Sequence, residues 1–188
     1  MEIKTLLFEE AGKQNTDATL SIARERALVL GVKQVIVAST HGFTARKAQE
    51  VFGPDGIAVT AVSICHGFES IGWAMDAGTR RDLESAGIRV HTGIHALGDG
   101  VASAFTEKSG GSATEEIVRE TLYRFCQGMK VAVEVLLMAA DAGLVDMSSD
   151  AIAIAGTGEG ADTAIVCKPA YPRTFHDLVI REILAKPR

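Results

Sequence analysis

The sequence predicts an α/β domain: a three-layer, mostly parallel sheet with helices on both faces. Three observations point there. Runs such as Val35-Ile36-Val37-Ala38 and residues 151–155 are apolar at every position, the pattern of strands covered from both sides. These runs alternate with segments of helical apolar spacing, which implies right-handed β-α-β crossovers. The 188 residues are 47% apolar, enough for the core of one domain, and no repeat or low-complexity linker divides them.

The first strand spans residues 5–8 and runs into a polar turn over 9–14. Asn15-Thr16-Asp17 supplies N-cap chemistry, and Leu20, Ala23, Ala27 and Leu30 keep helical spacing until Gly31 ends the helix. A buried strand follows over 32–38, a turn over 39–43 and a short helix over 44–52, closed by Gly53-Pro54-Asp55-Gly56. Residues 57–64 repeat the buried-strand pattern, 79–86 form a helix ended by Gly87, and 88–94 form the next strand. Residues 95–112 are a Gly/Ser-rich connection without period, longer than an ordinary loop. Thr114 opens one long helix reaching about Ala142, with Glu115 and Glu116 where the helix dipole favours acids. Its packing face carries Val118, Leu122, Phe125, Val133 and Leu136. A strand over 151–155, a glycine turn over 156–160 and a last strand over 161–167 have hairpin spacing, so that last strand is antiparallel and at one edge. A short helix over 175–184 ends the chain.

Composition narrows the function classes. Nineteen Lys+Arg against 24 Asp+Glu give a net charge of -5, without the basic footprint of a general nucleic-acid binder. No run approaches the ~20 apolar residues of a membrane span, and Met1-Glu2-Ile3-Lys4 has no leader pattern, so a cytoplasmic location is expected. Cys65, Cys126 and Cys167 are odd in number and widely spaced, which fits small buried hydrophobes better than disulfides or a zinc knuckle.

Two loops carry the chemical signal. Ser39-Thr40-His41-Gly42-Phe43-Thr44-Ala45 leads from a strand through a glycine turn into a helix N-terminus. Free amides at Gly42 to Ala45 and the hydroxyls of Ser39, Thr40 and Thr44 could converge on a phosphate. The spacing is neither a P-loop nor GxGxxG, and a plain strand–turn–helix cap is the alternative. The second loop, Gly156-Thr157-Gly158-Glu159-Gly160-Ala161-Asp162-Thr163, either brings backbone close to a ligand or is simply a hairpin needing left-handed glycines. Its length and polar side chains lean toward the ligand.

The stretch Ser21 to Lys47, with Ala23, Ala27, Gly31-Val32 and Val35-Ile36-Val37-Ala38 leading into Ser39-Thr40-His41-Gly42-Phe43-Thr44-Ala45, resembles the C-terminal α/β domain of pyruvate kinases, where the corresponding loop holds a sugar-phosphate effector in regulated members. The likeness extends over the whole chain to a family of stand-alone archaeal and bacterial proteins of this fold without an assigned biochemical role. Its motifs are matched by Asn15-Thr16, Lys108-Ser109-Gly110-Gly111, Lys130-Val131-Ala132-Val133-Glu134, Met138-Ala139-Ala140-Asp141-Ala142-Gly143, Gly160-Ala161-Asp162-Thr163-Ala164, Pro169-Ala170 and Lys186-Pro187-Arg188. The resemblance implies flavin mononucleotide (FMN) as bound cofactor, with Asn15, the 39–45 loop, Gly67, Gly156, Thr157, Gly158, Gly160, Ala161, Asp162 and Thr163 as its contacts. His41 stands where the family commonly has Tyr, and Glu159 places an acid beside the expected phosphate. The chain has no room for the pyruvate kinase catalytic barrel, so that activity is not expected.

FMN needs a phosphate nest, polar contacts for its ribityl chain and an apolar slot for its ring. The 39–45 loop offers the first, Asn15, Thr16, Thr157 and Thr163 the second, and Phe43, Phe68 and Trp73 possible ring walls. His41, His66 and His95 each follow a parallel strand and so belong at the ligand-binding edge. Without a closely spaced pair no metal site is expected, whereas hydrogen bonding or proton transfer near neutrality is open to them. Glu134 lies in an apolar helical run and requires a partner if buried, with Lys130 one turn before it; alternatively the two continue a solvated face. The expected function is binding of a phosphorylated, nucleotide-like small molecule, FMN foremost, by a chain able to form homo-oligomers. The alternative is an enzyme acting on a phosphorylated small molecule with a histidine as acid–base; no catalytic residue is assigned.

Overall fold

The computed structural model describes residues 2–188. Seven strands form one sheet in the order β1-β7-β6-β5-β2-β3-β4: β1 (Leu6–Phe8), β2 (Gln34–Ala38), β3 (Ala58–Ser63), β4 (Arg89–Thr92), β5 (Ala151–Ala155), β6 (Thr163–Lys168) and β7 (Val179–Pro187). β2 pairs in parallel with β3 and β5, β3 with β4, and β1 with β7, while β6 is antiparallel to both its neighbours. The expected α/β class with a mostly parallel sheet is therefore present.

Helices α1 (Thr16–Leu30), α2 (Phe43–Phe52) and α3 (Ala77–Ser85) cover one face of the sheet. Leu20, Ala23, Ala27, Ala45, Ala48, Phe52 and Leu83 pack there on Val35, Val37, Ile152, Ile154 and Val166. The opposite face is covered by α6 (Gln127–Asp141) with α5 (Thr114–Tyr123) beside it. Strand β5, Ala-Ile-Ala-Ile-Ala, shows how the two layers are specified. Its isoleucines fill the α1/α2 side, and its three alanines let the broad apolar surface of α6 lie close on the other.

Five expectations change. The long helix divides into α5 and α6, because Cys126 is extended and caps α6 by accepting a hydrogen bond from the Met129 N–H at its Sγ, 3.3 Å. The break lets the start of α6 press against β6: an added Cβ on Gly128 would lie 2.2 Å from Thr163 Oγ1. Phe125, at the break, is exposed rather than packed. The 95–112 connection contains a helix, α4 (Val101–Ser109); its Val101 and Phe105 face solvent while Ser103 is buried, so no core-facing apolar period announces it. The helix expected over 175–184 is instead a turn (Pro172–Asp177) followed by β7. The β6–β7 pairing skips Arg181 and Leu184, so Ile180 and Ile183 face the same layer three residues apart, and the strand imitates a helical period. Strand β6 consequently lies inside the sheet, not at its edge.

Cys167 is fully buried, and burial pushes its thiol up to about 12, so it behaves as a small hydrophobe; Cys65 and Cys126 are half-buried and free. No described helix is long and apolar enough to cross a membrane.

Gly128→Ala should lower stability by about 1–3 kcal/mol through overpacking against Thr163, despite alanine's roughly 1 kcal/mol advantage over glycine in helices. The urea midpoint checks this; an unchanged or raised midpoint would mean that α6 can shift freely. A second expectation concerns acid. Arg26 on α1 grips Glu182 on β7 through two bonds of 2.7 and 2.6 Å, holding the carboxyl below the usual glutamate range. A lowered carboxylate pKa contributes stability that is present above the unfolded value and lost as pH falls through the folded one. Glu182→Gln should thus be less stable than wild type near neutrality, with the difference shrinking toward strong acid in parallel denaturation curves.

Candidate functional site

The carboxyl ends of β2, β3 and β5 lie side by side, and the loops leaving them, with one stripe of α6, enclose a cleft of about 460 Å³. This is the switch-point region of an open parallel sheet. Its volume falls within the range of ligand sites, about 300–1,000 Å³.

One end of the cleft is built from backbone. Gly42 adopts φ 83°, so the chain turns sharply into α2 without a side-chain cap. Ser39 Oγ accepts the Ala45 N–H at 3.2 Å, which removes that amide from the expected free set. The amides of Phe43 and Thr44 have no acceptor among the described residues, and the Thr44 hydroxyl opens onto the cleft without a partner. Positive charge gathers behind them. An added Cβ on Gly42 would lie 2.9 Å from Arg46 Nη1, and the Lys13 ammonium sits 4.3 Å from the Phe43 ring centroid. Lys13 also pairs with Glu159 at 3.2 Å, so the acid of the glycine loop faces a cation.

The other end is aromatic and charged. Phe68, Trp73 and Tyr123 line it together with His95, Asp99, Lys130 and Glu134. Lys130 and Glu134 are both buried and bonded to each other at 2.6 Å, and Glu134 Oε1 also accepts the Leu97 N–H at 3.0 Å. Of the two readings open from sequence, the solvated face is thereby excluded. His95 stacks on Phe68 with centroids 5.9 Å apart. Its Nδ1 meets Asp99 Oδ2 at 2.5 Å, and its Nε2 accepts the Cys65 N–H at 3.3 Å. Because a backbone N–H can only donate, the ring carries its proton on Nδ1. Asp99 has φ 59°, the one non-glycine residue with positive φ among those described.

Of the residues expected at the site, Ser39, Thr40, His41, Phe43, Thr44, Gly156, Gly158 and Gly160 line the cleft. Gly42 and Ala45 lie just behind it, where they shape the turn into α2. Asn15, Gly67, Thr157, Ala161, Asp162 and Thr163 do not line it. Asn15 Nδ2 donates to the Glu10 carbonyl, and Gly67 sits exposed in the short turn His66–Ile71, as does His66. Asp162 is fully buried and holds the Gly12 and Thr157 amides at 2.9 and 3.1 Å and the Thr163 hydroxyl at 2.8 Å. The Ala161 amide donates to Thr16 Oγ1 at 3.0 Å. These residues fasten the glycine loop to the 10–16 turn from beneath. Asp99 and Tyr123 went unanticipated: Asp99 between two glycines is a faint turn signal, and nothing in the local pattern marks Tyr123. No group of three or more His, Cys, Asp or Glu among the described residues is placed to hold a metal ion.

No family model matches the chain. Among solved structures it is similar to a Cryptosporidium parvum pyruvate kinase in complex with ADP, with 16% identity over 80% of this chain and 22% of that one, at a TM-score of 0.41. A second pyruvate kinase structure from that organism is similar at 16% identity over 74% of this chain and 20% of its own, at a TM-score of 0.39. The chain spans about a fifth of the length of these pyruvate kinases.

Asp162→Ala strands three donors that a buried carboxylate now satisfies. With each bond to a charged group contributing about 1.5–3 kcal/mol, the loss should reach roughly 3 kcal/mol or more. Chemical denaturation measures it, and amide exchange at Gly12 and Thr157 should quicken first. Unchanged exchange at both would show that the loop is held by other contacts.

Proposed function

We propose that the cleft binds a small phosphorylated ligand bearing a planar ring system, with FMN as the leading form. The observation that carries this reading is the pairing of chemistries within one cleft: free amides and a free hydroxyl at the start of α2, and an aromatic wall of Phe68, Trp73 and Tyr123. A phosphate monoester suits the first end, because amides at a helix start, Thr44 Oγ1 and the nearby Arg46 and Lys13 all favour negative charge. The acid at Glu159 is no obstacle, since Lys13 answers it. A flat ring suits the second end, where Lys130 offers donors and Glu134 acceptors beside the apolar surface. FMN as the identity of the ligand rests on the family resemblance of the sequence.

The second reading, proton transfer to or from the bound molecule, is favoured by His95 alone among the three histidines. His95 lines the cleft with a carboxylate behind its Nδ1, whereas His66 lies outside the cleft and His41 has no such partner. It would require Nε2 to exchange the Cys65 amide for an atom of the ligand.

Thr44→Ala removes one hydroxyl donor to a charged oxygen, and should weaken FMN roughly ten-fold while leaving riboflavin, which lacks the phosphate, nearly unaffected. Fluorescence titrations of both ligands with both proteins make the comparison. Equal losses would assign Thr44 to the fold; no loss for FMN would remove the phosphate from the start of α2.

A further inference from the structure

We infer that His95 is a pH-sensitive latch that holds the cleft's aromatic wall closed when neutral and releases it when protonated. The part of the wall held in this way is the surface segment 65–73, which carries Phe68 and Trp73; Tyr123 stands on α5. Its short turn (His66–Ile71) begins at Cys65 and is closed internally by Phe68 N–H to Cys65 O, 3.3 Å, and Trp73 N–H to Phe68 O, 3.2 Å. Those bonds make the turn a unit without attaching it to the rest of the protein. Among the described residues, the one hydrogen bond from this segment to another element is Cys65 N–H to His95 Nε2, supported by the Phe68–His95 stack.

That bond exists in one protonation state only. The neutral ring, with its proton on Nδ1 facing Asp99, presents a lone pair at Nε2 to the Cys65 amide. Adding a proton at Nε2 sets two donors against each other at 3.3 Å, so the bond is lost and either the ring or the turn must move. On the other side of the ring, Nδ1 meets Asp99 Oδ2. The left-handed backbone at Asp99 keeps that carboxylate in place. The segment itself carries Cys65, His66 and Glu69, the last two exposed. His41, Tyr123, Lys130, Glu134 and Glu159 share the cleft with His95, and His91 and Asp141 lie with it in a smaller cavity on its other side. Lys130 and Glu134 are buried and bonded to each other, and Glu159 is paired with Lys13. Burial and Arg80 hold His91 below the usual histidine range, so it gains its proton at lower pH than an ordinary histidine.

Trp73 is the chain's single tryptophan and sits in the moving segment, half exposed. Its emission can therefore be followed from pH 8 to pH 5 in the ligand-free protein, so the result does not depend on what the cleft binds. Wild type should show one single-proton transition, the closed-to-open ratio changing about ten-fold per pH unit below the midpoint. His95→Gln can still accept from the Cys65 amide but cannot titrate, and should be flat over this range. Asp99→Asn removes a negative charge beside Nδ1, and should move the midpoint to lower pH. A transition that persists in His95→Gln, a flat wild type, or a midpoint that rises in Asp99→Asn would each overturn the inference. Should His95→Gln fail to fold by circular dichroism, exchange of the Cys65 amide in wild type decides. Protection lost through the same pH range supports the latch, and protection kept at pH 5 overturns it.

Discussion

The buried carboxylate of Asp162 is the interaction on which the arrangement of the cleft depends. It collects donors from three places: Gly12 after the first strand, Thr157 in the glycine loop, and Thr163 at the start of β6. Thr163 is in turn the surface against which Gly128 brings α6 to its closest approach. One group thus fixes where the sheet reverses direction, where the 10–16 turn rests and where α6 begins. An ionised carboxylate with no access to water is costly unless every lone pair is used. The same demand makes the site specific, since a shifted loop would leave charge and amides unpaired together.

Charge is managed by the same rule throughout the cleft. Lys130 and Glu134 lie one turn apart on a buried helix, and each would be untenable there alone. Glu134 directs its second oxygen to the Leu97 amide and thereby anchors the 95–100 loop that carries His95 and Asp99. Lys13 spans the rim between Glu159 and the Phe43 ring, so the glycine loop and the start of α2 share one cation. The polar groups with bonding capacity left over, Thr44 Oγ1 and the amides beside it, are those turned toward the open volume.

The layered architecture was legible because both-faced burial leaves a mark on every residue of a strand, as in β2 and β5. What escaped was structure whose pattern is set by long-range contact. Strand β7 reads as a helix because two pairing irregularities shift Ile180 and Ile183 onto the same layer. The α5–α6 break leaves little local mark, because a single glycine at 128 weakens a helix without ending it; that its missing side chain makes room for Thr163 is decided by the fold. The same limit governs the site. The 39–45 loop could be read locally because its geometry is local, and five of its members, Ser39, Thr40, His41, Phe43 and Thr44, line the cleft. Asp162 and Thr163 stood in the same glycine-rich string, yet their side chains point away from the cleft into the loop's own support. A string of residue types cannot distinguish a contact from the scaffold beneath it.

The two ends of the cleft are held by different physics, and this has consequences for how it can respond. The start of α2 is positioned by backbone, a left-handed glycine and one serine bond, none of which titrates near neutrality. The part of the aromatic wall that carries Phe68 and Trp73 is joined to the neighbouring loop by one hydrogen bond to His95 and a ring stack. Covalent connection through β3 keeps both ends on one sheet, so a movement of the wall need not disturb the amides at the other end. A ligand spanning the cleft would therefore meet one rigid anchor and one adjustable surface. For the proposed ligand, affinity for its anionic group would be set at the rigid end, where pre-formed donors lose no freedom on binding. Discrimination among ring systems would then fall to the wall, the part that the proposed latch at His95 would open and close.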